Sequence, residues 1–203
     1  MDIVHYPHPA LRWKSRPINE INDDLRAIVR RMFELMYEHK GIGLAANQVG
    51  LPLRLFVINL TGEATEKEEE LVFINPEIIR RKGTEVGEEG CLSLPKLYGD
   101  VRRAEKIIVE AFDLEGQGFE VSVDELASRA IQHESDHLDG ILFPDRMTEA
   151  GQRELAPAMS DFEALLRRQQ ELGTMPSDAE IKRRLKEWET RSPTAAELNV
   201  PMA

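Results

Sequence analysis

The stretch Gln132-His133-Glu134-Ser135-Asp136-His137 carries two histidines four residues apart, with a glutamate beside the first. On an α-helix, positions i and i+4 share a face, so His133 and His137 can present two imidazoles to one metal ion. Glu134 lies about 100° further round the helix axis. It can stay unligated and still reach a water on the metal. These are the parts of metal-assisted hydrolysis, with Glu134 as general base. The pattern leaves the third ligand open. Cys91, the only cysteine in the 203 residues, is the obvious candidate. Gly90 and Pro95 bracket a short irregular turn around it, and a neighbouring glycine lets a thiolate approach a metal without crowding. Two imidazoles, one thiolate and an open fourth position describe a catalytic rather than a structural centre. The plain alternative is an inert buried thiol. A third stretch is Gly41-Ile42-Gly43-Leu44-Ala45-Ala46-Asn47-Gln48. It matches the weak dinucleotide pattern G-x-G-x-x-A, but it follows a helix and runs into a strand, the wrong context for a pyrophosphate. Its glycines let a ligand lie along the main chain, and Gln48 offers an amide to a developing oxyanion. A tight loop packed under small residues is the bland reading.

The elements that must hold these residues can be read from periodicity. Leu25, Ile28, Val29, Met32, Phe33, Leu35 and Met36 predict a helix over residues 23–39, with Asp23 and Asp24 at its positive end and Gly41 as its C-cap. Residues 53–59 form a short apolar run, a buried strand. Residues 63–70 are a charged, solvated loop. Residues 71–74 and 77–81 read as two strands broken at Asn75-Pro76. Residues 106–113 and 119–121 flank a Gly-rich turn, a hairpin. Ser122-Val123-Asp124-Glu125 has the form of a capping box and should open the histidine helix, with Gly140 closing it. Leu126, Ala130, His133 and His137 then share one stripe. Residues 161–172 read as a helix. Ser177-Asp178-Ala179-Glu180 is a second capping box, opening a helix that runs to about residue 190. Residues 1–20, with three prolines and His5 and His8, read as extended chain wrapping the surface. The last ten or so residues read as frayed.

Composition sets bounds on partners. The net charge of -11 repels nucleic acid, so no specific DNA binding is expected and any such contact needs a local basic patch. Lys182, Arg183, Arg184 and Lys186 form one, which reads as a solvated face or as a dock for RNA or an acidic partner. No apolar run is long enough for a membrane span, the first residues do not form a signal peptide, and a lone cysteine fits a reducing cytoplasm.

Three stretches, taken together, resemble a known family. Residues 41–48, Glu89-Gly90-Cys91-Leu92-Ser93 and residues 132–137 look like the three motifs of peptide deformylase, G-φ-G-φ-A-A-x-Q, E-G-C-φ-S and Q-H-E-x-D-H. The resemblance covers residues 1–150 as a catalytic domain and leaves residues 151–203 as a charged helical extension. It implies an α+β fold, with antiparallel β-sheets around a central metal-binding helix. It implies Cys91, His133 and His137 as metal ligands and Glu134 as general base and acid. Gln48 and the Leu92 N–H would hold the formyl oxygen. Ile42, Gly43, Gly90, Leu126 and Ala130 would line the substrate backbone and the methionine side chain. The implied cofactor is one divalent metal ion, commonly ferrous iron, with zinc, nickel or cobalt able to take the site. The implied reaction is removal of formyl from N-formylmethionyl chains in the cytoplasm. In some relatives a C-terminal helix resembles a ribosome-docking element, a role the 182–186 cluster could serve. Arg103 is expected to pair with Glu89, although Arg102 stands where many members have proline. Tyr98 stands near where some members place an arginine on the substrate rim.

The nearest rival is an H-E-x-x-H endopeptidase. A metzincin needs a third histidine at position 143, where Phe143 stands; a thermolysin-like site would use Glu154 or Glu163. A degenerate metal-binding module is the non-enzyme rival, and it would need neither Glu134 nor Gln48.

Overall fold

Alternation along two short strands explains the layering. Gly43–Ala45 (β1) and Leu55–Ile58 (β2) are buried throughout. Leu44, Leu55, Val57 and Ile74 point to one side, where they pack on the apolar face of Asp23–Glu38 (α1). Ala45, Phe56, Ile58 and Phe73 point to the other side, where they meet Ala130, Ile131 and Leu138 of Glu125–Leu138 (α2). A strand buried on both faces reads as a continuous apolar run, which is why residues 53–59 signalled so clearly. The computed structural model describes residues 1–201. With Leu71–Lys82 (β3), Lys106–Phe112 (β6) and Gly118–Asp124 (β7), these strands form an antiparallel sheet in the order β1-β2-β3-β6-β7. Glu85–Cys91 (β4) and Leu94–Arg103 (β5) form a separate two-stranded sheet. The fold is α+β, as expected, with the histidine helix between the sheets and the N-terminal segment.

Several expectations need correction. α1 ends at Glu38 with His39 as C-cap, and the left-handed residue is Lys40 (φ 57°), so Gly41 is not the cap. Chain 71–82 is one strand rather than two. It passes Asn75-Pro76 through a bulge, with Asn75 at φ 51° and its side chain bonded to both the N–H and the C=O of Ile18. The capping box at Ser122 does not form. Residues 122–124 remain paired with residues 106–108, and Asp124 stands at the N-cap without a side-chain bond. Ladder pairing outweighed one local side-chain bond. The β4–β5 hairpin was not anticipated as strands.

The ends of the chain are tied down. Residues 1–16 are stitched inward by Val4 N–H to Gln48 O (2.8 Å), Tyr6 N–H to Ser93 O (3.0 Å) and Ser15 N–H to Leu138 O (2.8 Å). They are not a surface wrap: Ile3 and Leu11 are buried, and residues 9–12 form a 3-10 turn. Over them lie Glu149–Glu171 (α4), longer than expected and capped by Thr148, and Asp178–Thr190 (α5), where Ser177 caps through the Glu180 N–H, the serine half of the expected capping box. A short helix, Phe143–Arg146 (α3), leads into them. Ile181 and Leu185 pack on Ala10 and Trp13. The final residues are not frayed through position 200: Ala195 and Val200 are buried against Ala27. Residues 202 and 203, part of the same expectation, lie outside the described residues.

Candidate active site

α2 delivers His133 and His137 on one face, and the hinge of the β4–β5 hairpin brings Cys91 to them. His133 Nε2 and His137 Nε2 are 3.2 Å apart, and Cys91 Sγ is 3.3 Å from His137 Nε2. All three donor atoms lie within 4.8 Å of one another. Bonds of about 2.0 Å to nitrogen and 2.3 Å to sulfur at tetrahedral angles require donor separations of about 3.3–3.6 Å. The side chains are therefore arranged for one ion, and the donor set of two imidazoles and a thiol suits a divalent transition metal. Burial, reinforced by His133 and Arg103, holds His137 well below its ordinary value, so this imidazole is neutral with a lone pair to give.

Behind the donors stands a buried ion network. Glu89 accepts two bonds from Arg103 (Nε and Nη2, both 2.9 Å), one from Arg129 Nη1 (2.8 Å), and lies 2.9 Å from His133 Nδ1. Burial alone would raise the Glu89 carboxyl, but Arg103 and His133 outweigh it and hold the group well below the usual carboxylate range. A carboxylate on Nδ1 fixes the His133 ring and leaves Nε2 for the ion. Arg103 also binds Asp136 Oδ2, and Arg146 grips both oxygens of that carboxylate, with Nη2 to Oδ1 at 2.6 Å and Nε to Oδ2 at 3.1 Å. The expected pairing of Arg103 with Glu89 is thus present, and Arg102 beside it does not prevent it.

Glu134 and Gln48 flank the donors. Glu134 is buried, and its Oε2 has no hydrogen-bond partner among the described residues. Burial pushes its carboxyl up to about 7, against the pull of His133. An orphaned carboxylate oxygen beside three convergent donors marks a place where a further polar group belongs. Gly43 makes room for it: a Cβ there would stand 2.6 Å from Glu134 Oε1. The Gln48 amide is oriented by its own oxygen, which accepts the Ala45 N–H at 2.8 Å, so Nε2 faces Cys91 Sγ at 3.4 Å.

One cavity of about 580 Å³ is lined by Ile42, Gly43, Gln48, Gly90, Cys91, Leu92, Leu126, Ala130, His133 and Glu134. The structure thus brings every expected site residue to one place; His137 is buried just behind the wall. Tyr98 is 60% exposed on the rim, its ring packed so close that a Cβ at Gly90 would meet it at 2.7 Å. Arg129, Asp136 and Arg146 were missed. Arg129 stands four residues before His133 on the same stripe, which was the available signal. The rival third ligands are elsewhere: Glu163 accepts the Tyr6 hydroxyl and Glu154 is exposed.

The polypeptide deformylase family model matches residues 1–153. A peptide deformylase of Rhodopirellula baltica is 44% identical over 189 residues, covering 93% of this chain and 94% of the relative. One from Acidobacterium capsulatum is 53% identical over 146 residues, covering 72% and 85%. Among solved structures, a peptide deformylase of Plasmodium falciparum is 38% identical with a TM-score of 0.78, over 80% of this chain and 95% of that one.

Proposed function

We propose a role for each residue of the cavity from the premise that the chain belongs to the polypeptide deformylase family. The family removes the N-formyl group from nascent peptides by metal-dependent hydrolysis, and this chain is such a hydrolase. Cys91, His133 and His137 would hold the ion. When bound, it supplies Lewis acidity toward water and the formyl oxygen. Glu134 takes the proton of the attacking water and returns it to the amide nitrogen as formate departs. The water oxygen ends in formate, and the peptide leaves with a free amine. Gln48 Nε2 and the Leu92 N–H donate to the oxygen on which negative charge develops. Ile42, Gly43 and Gly90 border the substrate main chain; Leu126 and Ala130 offer apolar surface to the methionine side chain.

We assign ferrous iron as the native ion on the family resemblance; zinc, nickel and cobalt suit the same donors. We place the catalytic unit in residues 1–150 and a separate extension in residues 151–203. Among the described residues no helix is long and apolar enough to cross a membrane; on the family resemblance we place the protein in the cytoplasm. We assign the exposed Lys182, Arg183, Arg184 and Lys186 to ribosome docking, by their charge in an acidic protein.

The observation that carries the mechanism is the unpartnered Glu134 oxygen beside the three donor atoms. The test is formate release from a formyl-Met tripeptide by protein purified without oxygen and assayed for metal. Wild type should release formate with about one ion per chain. Glu134→Ala should keep the ion and release none. Release by Glu134→Ala at the wild-type rate overturns the role of Glu134.

A further inference from the structure

Two lysines stand on the cavity wall in a backbone conformation that lysine disfavours. Lys40 has φ 57° and Lys96 has φ 66°. A side chain in the left-handed region is crowded against its own carbonyl, and glycine would remove that cost. The other non-glycine residues at positive φ are Asn75, Glu125 and Asn199, and none of these lines the cavity. Lys40 follows the C-cap of α1, where a cation complements the helix dipole. Lys96 has no such reason. It lies in a bulge: Gly90 opposes Tyr98 and Cys91 opposes Leu94, so residues 95–97 loop out of the ladder beside the metal donors. Bulges of this kind re-aim side chains next to active sites.

The charge balance of the rim points the same way. Neither lysine is in an ion pair among the described residues, where the pairs are made by arginines and His133. Arg129 is matched by Glu89, and Glu134 is buried. Lys40 and Lys96 therefore face the opening with Glu88 as the one exposed acid on the wall, in a protein of net charge -11. A cationic rim on an acidic molecule concentrates the field at the mouth of the cleft.

We propose that Lys40 and Lys96 are specificity residues that favour formylated chains carrying Asp or Glu at the third and fourth positions, counting the methionine as the first. The proposal rests on the deformylase reading of the cavity. Formyl-methionine anchors the chain at the metal donors, and the residues that follow pass the rim, where acidic side chains meet unpaired ammonium groups and basic ones are repelled.

The experiment compares kcat/KM of the metal-loaded full chain on formyl-Met-Ala-Glu-Glu, formyl-Met-Ala-Ser-Ser and formyl-Met-Ala-Lys-Lys at low and high salt. The acidic peptide should exceed the basic one by about tenfold at low salt, and the gap should narrow at high salt. Lys40→Glu/Lys96→Glu should reverse the order. Lys40→Gly/Lys96→Gly, which relieves the backbone, should bring the ratio toward one. The readout is the ratio within one enzyme, so a general loss of activity in a variant cancels. A wild-type ratio near one, or a ratio unchanged in both variants, overturns the proposal. Turnover of the neutral peptide by wild type separately tests the deformylase reading.

Discussion

Glu89→Gln is the sharpest perturbation of the network behind the donors. Glu89 is 4% exposed at its side chain and receives three guanidinium bonds besides its contact with His133. Glutamine has one acceptor oxygen and one NH₂. Whichever way the amide turns, its nitrogen meets two groups that are themselves donors: Arg103 Nε and Arg129 Nη1 on one side, or Arg103 Nη2 and the His133 ring on the other. At least two charge-assisted bonds are lost, each worth about 1.5–3 kcal/mol. Arg103 keeps Asp136, so it is not left without an anion. The expected loss is about 3–5 kcal/mol, the range for breaking a buried ion pair from one side. That is a large part of a stability of about 5–15 kcal/mol. Urea unfolding of the metal-free protein measures it without the stabilisation that bound metal adds. Chelator competition should show metal affinity reduced about 10–100-fold, because the His133 ring loses its anchor. Glu149→Gln is the control: its pair with Arg153 spans 3.7 Å on the open surface, and its loss should cost well under about 1 kcal/mol. If Glu89→Gln costs no more than this control, the network does not hold the site and the reasoning fails.

Two further outcomes are expected. His8 is buried, and burial lowers it to about 4 from 6.5. Its Nδ1 accepts the Ala10 N–H at 3.2 Å, so protonation there also breaks a bond. The unfolded chain binds the proton below about pH 6.5 and the folded chain only near pH 4. Stability should therefore be full above pH 6.5 and fall by at most about 3 kcal/mol as pH drops to 4. His8→Asn, which keeps an acceptor, should flatten that decline in urea midpoints, and an undiminished decline would refute the assignment. For the extension, reversing Lys182, Arg183 and Lys186 to glutamate should remove ribosome co-sedimentation. Arg184 is left in place because it lies 5.8 Å from the Trp188 ring; unchanged co-sedimentation would end that proposal.

The site was legible in the sequence because its key spacing is local. His133 and His137 meet through helix geometry alone, and α1 announced itself through its apolar face. What the sequence hid depends on distant partners. The β4–β5 hairpin is charged and exposed over most of its length, with only Leu94 and Val101 deeply apolar, and its bulge breaks the alternation that signals a strand. Ser122 looked like a cap because a cap is a local pattern, whereas its ladder partner Ile108 is known only from pairing. The first turns of α4 carry Gly151 and Pro157, which mask a helix that Thr148 opens. Ala195 and Val200 are buried by fit against Ala27, and small residues in a tail give no periodic sign of that.

The stitching of residues 1–16 has a consequence for the order of folding. On their inner side these residues bond Gln48 and Ser93, the loops that carry the oxyanion donor and follow the thiol. On their outer side Tyr6 bonds Glu163, Trp13 bonds Glu189 and Arg16 bonds the Trp188 carbonyl. Residues 1–16 are thus clasped by helices that come much later in the chain, 157 residues on for the Tyr6 contact. Closing so long a loop is entropically costly and slow. The brace over the Gln48 and Ser93 loops should therefore be among the last contacts to form when the chain refolds.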